Sequence, residues 1–205
     1  MEPKEALSGS RMERKREETT QKIIAAAVRL FQQHGLDATT MEQIAADADI
    51  AKGTLYHYFP VKEAIIDELI ERSSKEINAE RILRIRTLPD TRTRLTTALN
   101  ELMEGVRARK DIFEKYFVYR IQNMISLRQE RNTANGFAQL ASEIIRLGQQ
   151  SGELRTDLPP DALQALFEFA FIKIAQQLYQ SPQGIDTQEV VAQYVDLFMK
   201  GASHD

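Results

Sequence analysis

From Thr19 to Met199 the apolar residues of this chain recur three and four positions apart, and no useful length of it alternates apolar with polar. That spacing lines up one face of an α-helix, whereas a half-buried strand needs a period of two. Ile23, Ala27, Leu30 and Phe31 make one such stripe, with Ile24 and Val28 broadening it. Leu95, Leu99, Leu102, Met103 and Val106 make another between residues 92 and 107. The pattern continues through 111–127, 135–150, 160–179 and 187–199. No segment repeats at a fixed period, and the fold class read from the sequence is all-α.

The punctuation between residues 34 and 62 is more specific. Gly35 follows His34 and supplies a helix stop, because glycine accepts positive φ without a Cβ clash. Thr40-Met41-Glu42-Gln43 reads as a capping box, Thr40 accepting from the Gln43 amide while the Gln43 side chain reaches back. The helix it starts is cut short by Asp47-Ala48-Asp49. A second short helix is expected from Ala51 to about His57, ended by Pro60, with a longer helix beginning near Val61 or Lys62. Two short helices and a tight turn behind a supporting helix describe a helix-turn-helix. Its turn needs a residue that tolerates left-handed φ, and Asp49 does so less comfortably than glycine. Ala45, Ile50 and Leu55 suit the core side; Lys52, Thr54, Tyr56 and His57 suit an exposed side bearing short polar groups and donors.

The run Thr39-Thr40-Met41-Glu42-Gln43-Ile44-Ala45, then Ala51-Lys52-Gly53-Thr54-Leu55-Tyr56-His57-Tyr58-Phe59 and Lys62-Glu63, resembles the DNA-binding signature of the tetracycline-repressor (TetR) family. Leu30-Phe31 and Gly35 match that family's first helix, and the strong resemblance covers about residues 19–68. It implies an N-terminal three-helix DNA-binding domain and a larger C-terminal helical domain for effector binding and dimerisation. It also implies a DNA-binding set of Thr39, Thr40, Lys52, Gly53, Thr54, Tyr56, His57, Tyr58 and Lys62. In that set Thr40 contacts a phosphate, Lys52 and Thr54 reach base edges, and Tyr58 and Lys62 hold the DNA backbone. Tyr56 stays open between a phosphate contact and packing on a thymine methyl. Two departures stand out: Asp49 occupies a turn position where the family often has glycine, and Ala51 a cap position where it often has serine or threonine.

The expected organisation is a flexible basic arm over 1–16, a DNA-binding domain over 17–64 and an effector and dimerisation domain over 65–205. The arm ends in Arg11, Arg14, Lys15 and Arg16, and reads either as a solvated tail or as a segment that follows phosphates. The chain's net charge of −3 argues against a uniformly basic nucleic-acid coat but not against a local basic surface. The absence of cysteine excludes disulfides, thiolate metal sites and cysteine catalysis. No catalytic triad-like constellation, phosphate-cradling glycine loop or histidine–carboxylate cluster is visible, so neither an enzyme nor a metal or other cofactor is expected. No apolar run has the length of a signal peptide or of a membrane span, so a cytoplasmic protein without membrane contact is expected.

The helix after Pro160 is apolar on more than one face, through Leu163, Leu166, Phe167, Ala170, Phe171, Ile174 and Leu178, with Phe169 and Ile172 beside them. Such a helix is buried on more than one side, within one core or against a second subunit. The family resemblance favours a four-helix homodimer interface, for which Phe167, Phe171, Ile174, Val191, Tyr194, Val195 and Phe198 are the candidates. Phe113, Tyr116, Phe117, Tyr119, Arg120, Asn123 and Phe137 combine aromatic walls with a few polar groups, and read as core or, with Phe171, as a pocket for an apolar or amphipathic effector. The resulting expectation is a dimeric repressor that binds a pseudo-palindromic double-stranded operator and leaves it when the effector binds.

Overall fold

The computed structural model describes residues 4–125, 136–181 and 184–202, and these are helical with short connections. The helices are α1 (Lys4–His34), α2 (Met41–Asp47), α3 (Lys52–Tyr58), α4 (Lys62–Thr87), α5 (Thr91–Ala108), α6 (Lys110–Ile125), α7 (Gly136–Gln150), α8 (Pro160–Gln180) and α9 (Thr187–Ala202). The chain divides into two compact units, Met1–Leu69 and Ile70–Asp205. The division falls inside α4, later than the boundary expected after residue 64. No helix among the described residues is long and apolar enough to cross a membrane.

In the first unit one core is assembled from every helix. Ile23, Ala26, Ala27 and Leu30 of α1 meet Ile44 and Ala45 of α2, Leu55 of α3 and Ile65 of α4. Ile23, Ile44, Leu55 and Ile65 are fully excluded from solvent, each contributing about 1.5–3 kcal/mol through that burial. Gly35 closes α1 at φ 80°, its amide donating to the Phe31 carbonyl at 3.0 Å. The expected arm is corrected here: α1 starts at Lys4, not near Thr19. Arg, Met, Glu, Lys and Gln dominate residues 11–17 and 21–22, all good helix formers. A Gln21–Glu17 side-chain bond at 3.0 Å, one turn apart, adds to that local preference.

In the second unit α7 packs on α8, and α9 packs on both α5 and α8. The core takes Leu95, Leu99 and Met103 from α5, Leu140 and Ile144 from α7, Phe167 and Ile174 from α8 and Val191 and Val195 from α9. α5 starts on Asp90, whose carboxylate accepts from the Thr93 amide at 2.7 Å and is held below the usual carboxylate range by that bond. α7 starts on Gly136, whose amide donates to Glu71 at 3.0 Å and whose carbonyl accepts from Asn78.

Candidate nucleic-acid interface

α2 begins as the sequence implies. The Gln43 amide donates to the Thr40 hydroxyl at 3.2 Å, and the Thr40 amide donates to the Gln43 side-chain oxygen at 2.8 Å. The turn that follows is tight. The amides of Ala48, Asp49 and Ile50 donate to the carbonyls of Ile44, Ala46 and Ala45. Asp49 sits at φ 53°, the left-handed conformation the turn requires. Ala51 caps α3 with no side-chain bond, leaving that helix without the hydroxyl acceptor a serine or threonine would supply.

α3 buries Leu55 and half-buries Tyr58, while Lys52, Gly53, Thr54, Tyr56 and His57 are exposed. Leu55 therefore anchors the helix and the remaining side chains present donors outward. Gly53 is informative because a Cβ there would meet nothing within 4 Å. A helical glycine costs about 1 kcal/mol relative to alanine, and nothing inside the chain requires it. His57 meets the Tyr58 ring edge-on at 5.9 Å between centroids.

Lys52 is held in place rather than waving freely. Its ammonium lies 2.5 Å from Glu42 Oε1 and 5.8 Å from the centre of the Tyr56 ring. The Lys52 bond lowers the Glu42 carboxyl below its ordinary range, with a smaller contribution from Tyr56, and Glu42 in turn raises the Lys52 pKa. Glu42 joins the candidate site through Lys52, and reasoning from sequence did not include it. Its only visible role there was as a member of the capping box, although it stands exposed in the first turn of α2.

Two members of the expected DNA-binding set are engaged within the fold. Thr39 is 1% exposed and donates its hydroxyl to the Gly35 carbonyl at 2.8 Å. Lys62 donates from Nζ to the carbonyls of Leu36 at 2.5 Å and Thr39 at 2.8 Å. It ties the start of α4 to the loop between α1 and α2, so two of its three protons are spent inside the protein.

The aromatic residues of the second unit come together as packed rings. Phe137 stacks on Phe167 at 5.3 Å and on Phe171 at 5.1 Å, and Phe171 meets Phe117 at 5.4 Å. Phe113 and Tyr116 extend the cluster along α6. Arg120 lies over the Tyr116 ring at 5.8 Å and between Glu168 at 3.3 Å and Glu71 at 3.9 Å. The side chain of Asn123 lies outside what the structure describes. Open surface recesses around Ser142 and Arg146 are lined by none of these aromatic residues.

The expected dimer residues are mostly interior ones. Phe167, Phe171, Ile174, Val191, Val195 and Phe198 are buried in the chain's own core and have almost no surface left for a partner. Of that set only Tyr194 keeps partial exposure. The apolar side chains that α8 and α9 leave exposed are Leu166 at 54%, Phe169 at 56% and Leu197 at 69%.

A helix-turn-helix that presents α3 as a row of outward donors, in a chain continuing into a larger helical unit, is the arrangement by which a recognition helix enters a major groove. Residues 23–69, the helix-turn-helix region, match the family described as bacterial regulatory proteins, tetR family. It is 25% identical to the HTH-type transcriptional repressor KstR2 of Rhodococcus jostii over 184 residues, covering 87% of this chain and 88% of that one. It is 37% identical to the HTH-type transcriptional regulator YuxN of Bacillus subtilis over 90 residues, 43% of this chain and 31% of that one. Its fold is similar to that of Thermus thermophilus FadR, a TetR-family repressor crystallised with lauroyl-CoA. That match has a TM-score of 0.72 and 24% identity, covering 89% of this chain and 94% of the other.

Proposed function

We propose that the chain is a dimeric transcriptional repressor that binds a pseudo-palindromic operator and is released from it by an apolar or amphipathic small molecule. The observation that carries the DNA reading is the exposed face of α3. Lys52, Thr54, Tyr56 and His57 point outward there while Leu55 locks the helix to the core. Ammonium, hydroxyl and imidazole donors on a helix suit base edges and phosphates in a major groove. Open space at Gly53 lets a phosphate backbone approach α3 closely. Thr40, at the positive start of α2, adds a phosphate contact.

Two subunits read two half-sites about 34–36 Å apart, which is why an operator for such a dimer is pseudo-palindromic. Leu166 and Phe169 lie one turn apart on α8, and with Leu197 of α9 they supply an apolar face for the second subunit. The effector site is the aromatic cluster of α6, α7 and α8, with Arg120 as its polar edge. Two neighbours in fold carry acyl-CoA: the Thermus FadR above, and Bacillus subtilis FadR with stearoyl-CoA, at a TM-score of 0.58. A long acyl chain is matched in chemistry by the phenylalanines here, and it has to part them to enter. The effector acts only through its different affinity for the DNA-competent and released states; about 2.7 kcal/mol of difference lowers operator affinity about 100-fold.

The test is selection of duplexes from a random library by the purified protein, followed by titration of the bound complex with lauroyl-CoA and other amphipathic thioesters. Enrichment of a two-fold symmetric sequence, and its release by one of these ligands, is the expected result. Failure to enrich any sequence would overturn the DNA reading. Enrichment with equal effector affinity for free and operator-bound protein would overturn the release mechanism.

A further inference from the structure

We propose that Glu42 is a specificity-determining residue of the operator interface, acting with Lys52 as a paired acceptor and donor that selects a G·C base pair in each half-site. The inference rests on the α3 reading above and deepens it by naming a base pair. Glu42 stands on the outer face of α2, because Met41, Ile44 and Ala45 turn the other face into the core. Its carboxylate reaches across the turn to the Lys52 ammonium at 2.5 Å, and both side chains stay more than half exposed, at 53% and 60%. Lys52 is the first residue of α3, and Gly53 beside it leaves open space. The pair therefore lies on the surface that α3 offers to a duplex.

The fold makes little use of this pair. The start of α2 is already closed by Thr40 and Gln43, and α3 is anchored by Leu55. An exposed ion pair contributes little to stability, because its two long side chains lose freedom in forming it. On a surface that meets DNA a carboxylate also repels phosphates and cancels a cation that would draw them. A negative group at this place is offset by a donor in the groove. Glu42 is charged there, since Lys52 holds its carboxyl below the ordinary range and Tyr56 adds to the effect. Asp47, the other carboxylate of α2, is occupied by Arg29 at 2.6 Å.

Base-edge chemistry identifies that donor. In the major groove guanine presents two acceptors, N7 and O6, and its paired cytosine presents one donor, the N4 amino group. Lysine donates to the first two, and glutamate accepts from the third. A G·C pair sets these acceptors beside the donor, and the ammonium and carboxylate held side by side match them in kind and in order. An A·T pair fits worse. Its one donor, adenine N6, lies between the acceptors N7 and O4, which repel a carboxylate, and the thymine methyl offers nothing to either charge. Lysine alone is a flexible point charge that serves any phosphate within reach. Held by Glu42 and lying 5.8 Å from the centre of the Tyr56 ring, the Lys52 ammonium is kept to one place on the base edge. Glu42 thus lowers affinity for duplex in general and raises the preference for one sequence.

The experiment selects duplexes from a random library with the full-length wild-type protein, Glu42→Gln and Glu42→Ala. Anisotropy over a salt series then compares the selected operator, its A·T replacement at the assigned position, and a scrambled duplex. Glutamine and alanine keep helix propensity, and an unchanged urea midpoint checks the fold. The wild type is expected to enrich G·C at one position of each half-site and to discriminate against A·T there by about tenfold or more. In both variants that preference is expected to fall below about threefold, while the other operator positions stay as in the wild type. Their binding to scrambled duplex is expected to tighten, with the slope of log K against log salt steeper by about 0.9, as Lys52 is released to a phosphate. Variants that keep the wild-type preference at every position would overturn the proposal and leave the α3 reading standing. A loss of preference spread evenly over all positions would do the same, because it would make Glu42 a support of α3 and not a reader of one base pair. Enrichment of no sequence by the wild-type protein would remove both.

Discussion

Replacing Lys62 by methionine separates a fold-holding lysine from a DNA-holding one. Methionine keeps much of the apolar stem and removes the ammonium that bridges the carbonyls of Leu36 and Thr39 at 2.5 and 2.8 Å. Hydrogen bonds to a charged group contribute about 1.5–3 kcal/mol each, and part of that is returned when the ammonium no longer has to be desolvated. A net loss of about 2–4 kcal/mol is expected for the first unit. With a urea dependence of about 2 kcal/mol per molar, the middle of the usual range, the midpoint of its transition falls by about 1–2 M. The loop it releases carries Thr39, whose hydroxyl bond to Gly35 and whose neighbour Thr40 define the start of α2. Specific DNA binding therefore weakens as well, through misplacement of α2 and α3. Urea unfolding followed by circular dichroism and a salt series on operator DNA together test this. A variant with an unchanged midpoint, and a salt slope shallower by about 0.9, would show Lys62 to be a phosphate ligand and refute the clamp.

Phe169→Asp together with Leu197→Asp places charge on the exposed apolar surface of α8 and α9; on the proposed dimer, sedimentation is expected to give a dimer for the wild type and a folded single chain for the variant. A double variant that stays dimeric would put the interface elsewhere. Gly136→Ala is expected to destabilise the second unit by about 1–3 kcal/mol, because its Cβ would meet Ser74 Cβ at 2.7 Å and Asn78 Nδ2 at 2.9 Å. Gly105→Ala, in the open on α5, is expected to stabilise by up to about 1 kcal/mol, and denaturant melts of the pair should move in opposite directions. Glu143 is held down to about 2, first by its bond to Arg146 and then by Arg86, while burial opposes both. Its folded pKa lies below its unfolded one, so the stabilisation is complete above about pH 4.5 and is lost as the pH falls towards 2. Urea midpoints at pH 5 and pH 3 should therefore converge more closely for Glu143→Gln than for the wild type.

The parts of the fold most legible in the sequence are those set by neighbours along the chain. The helical period placed α5, α7, α8 and α9 to within a few residues, and the capping box at Thr40 and the left-handed turn at Asp49 are local chemistry. The start of α1 is not legible in the sequence, because Pro3 and Ser8-Gly9-Ser10 weigh against the helix formers that follow. For Lys62 the motif supplies a position and not its partners. Its acceptors come from Leu36 and Thr39, far back in the chain, and carbonyls leave no mark in a sequence. The same limit hid the Glu42–Lys52 pair, which forms only when the turn folds α3 across α2. On α8 the richer stripe, Phe167, Phe171 and Ile174, is the one the family resemblance offers as a dimer face, and it is buried within the chain itself. The densest apolar face of a helix goes to its own core first, which leaves the thinner stripe of Leu166 and Phe169 outside.

Fluorescence anisotropy on the selected duplex and on a scrambled one, for the wild type and a Lys52→Ala, Tyr56→Ala variant, tests the central claim most directly. Both side chains are exposed on α3, so the variant keeps the fold and loses only what α3 offers outward. The account expects tight wild-type binding to the selected duplex alone, a steep fall with salt, and a variant that no longer distinguishes it from the scrambled sequence. A variant that keeps the wild-type preference would show that α3 does not read the operator, and would contradict the account at its root.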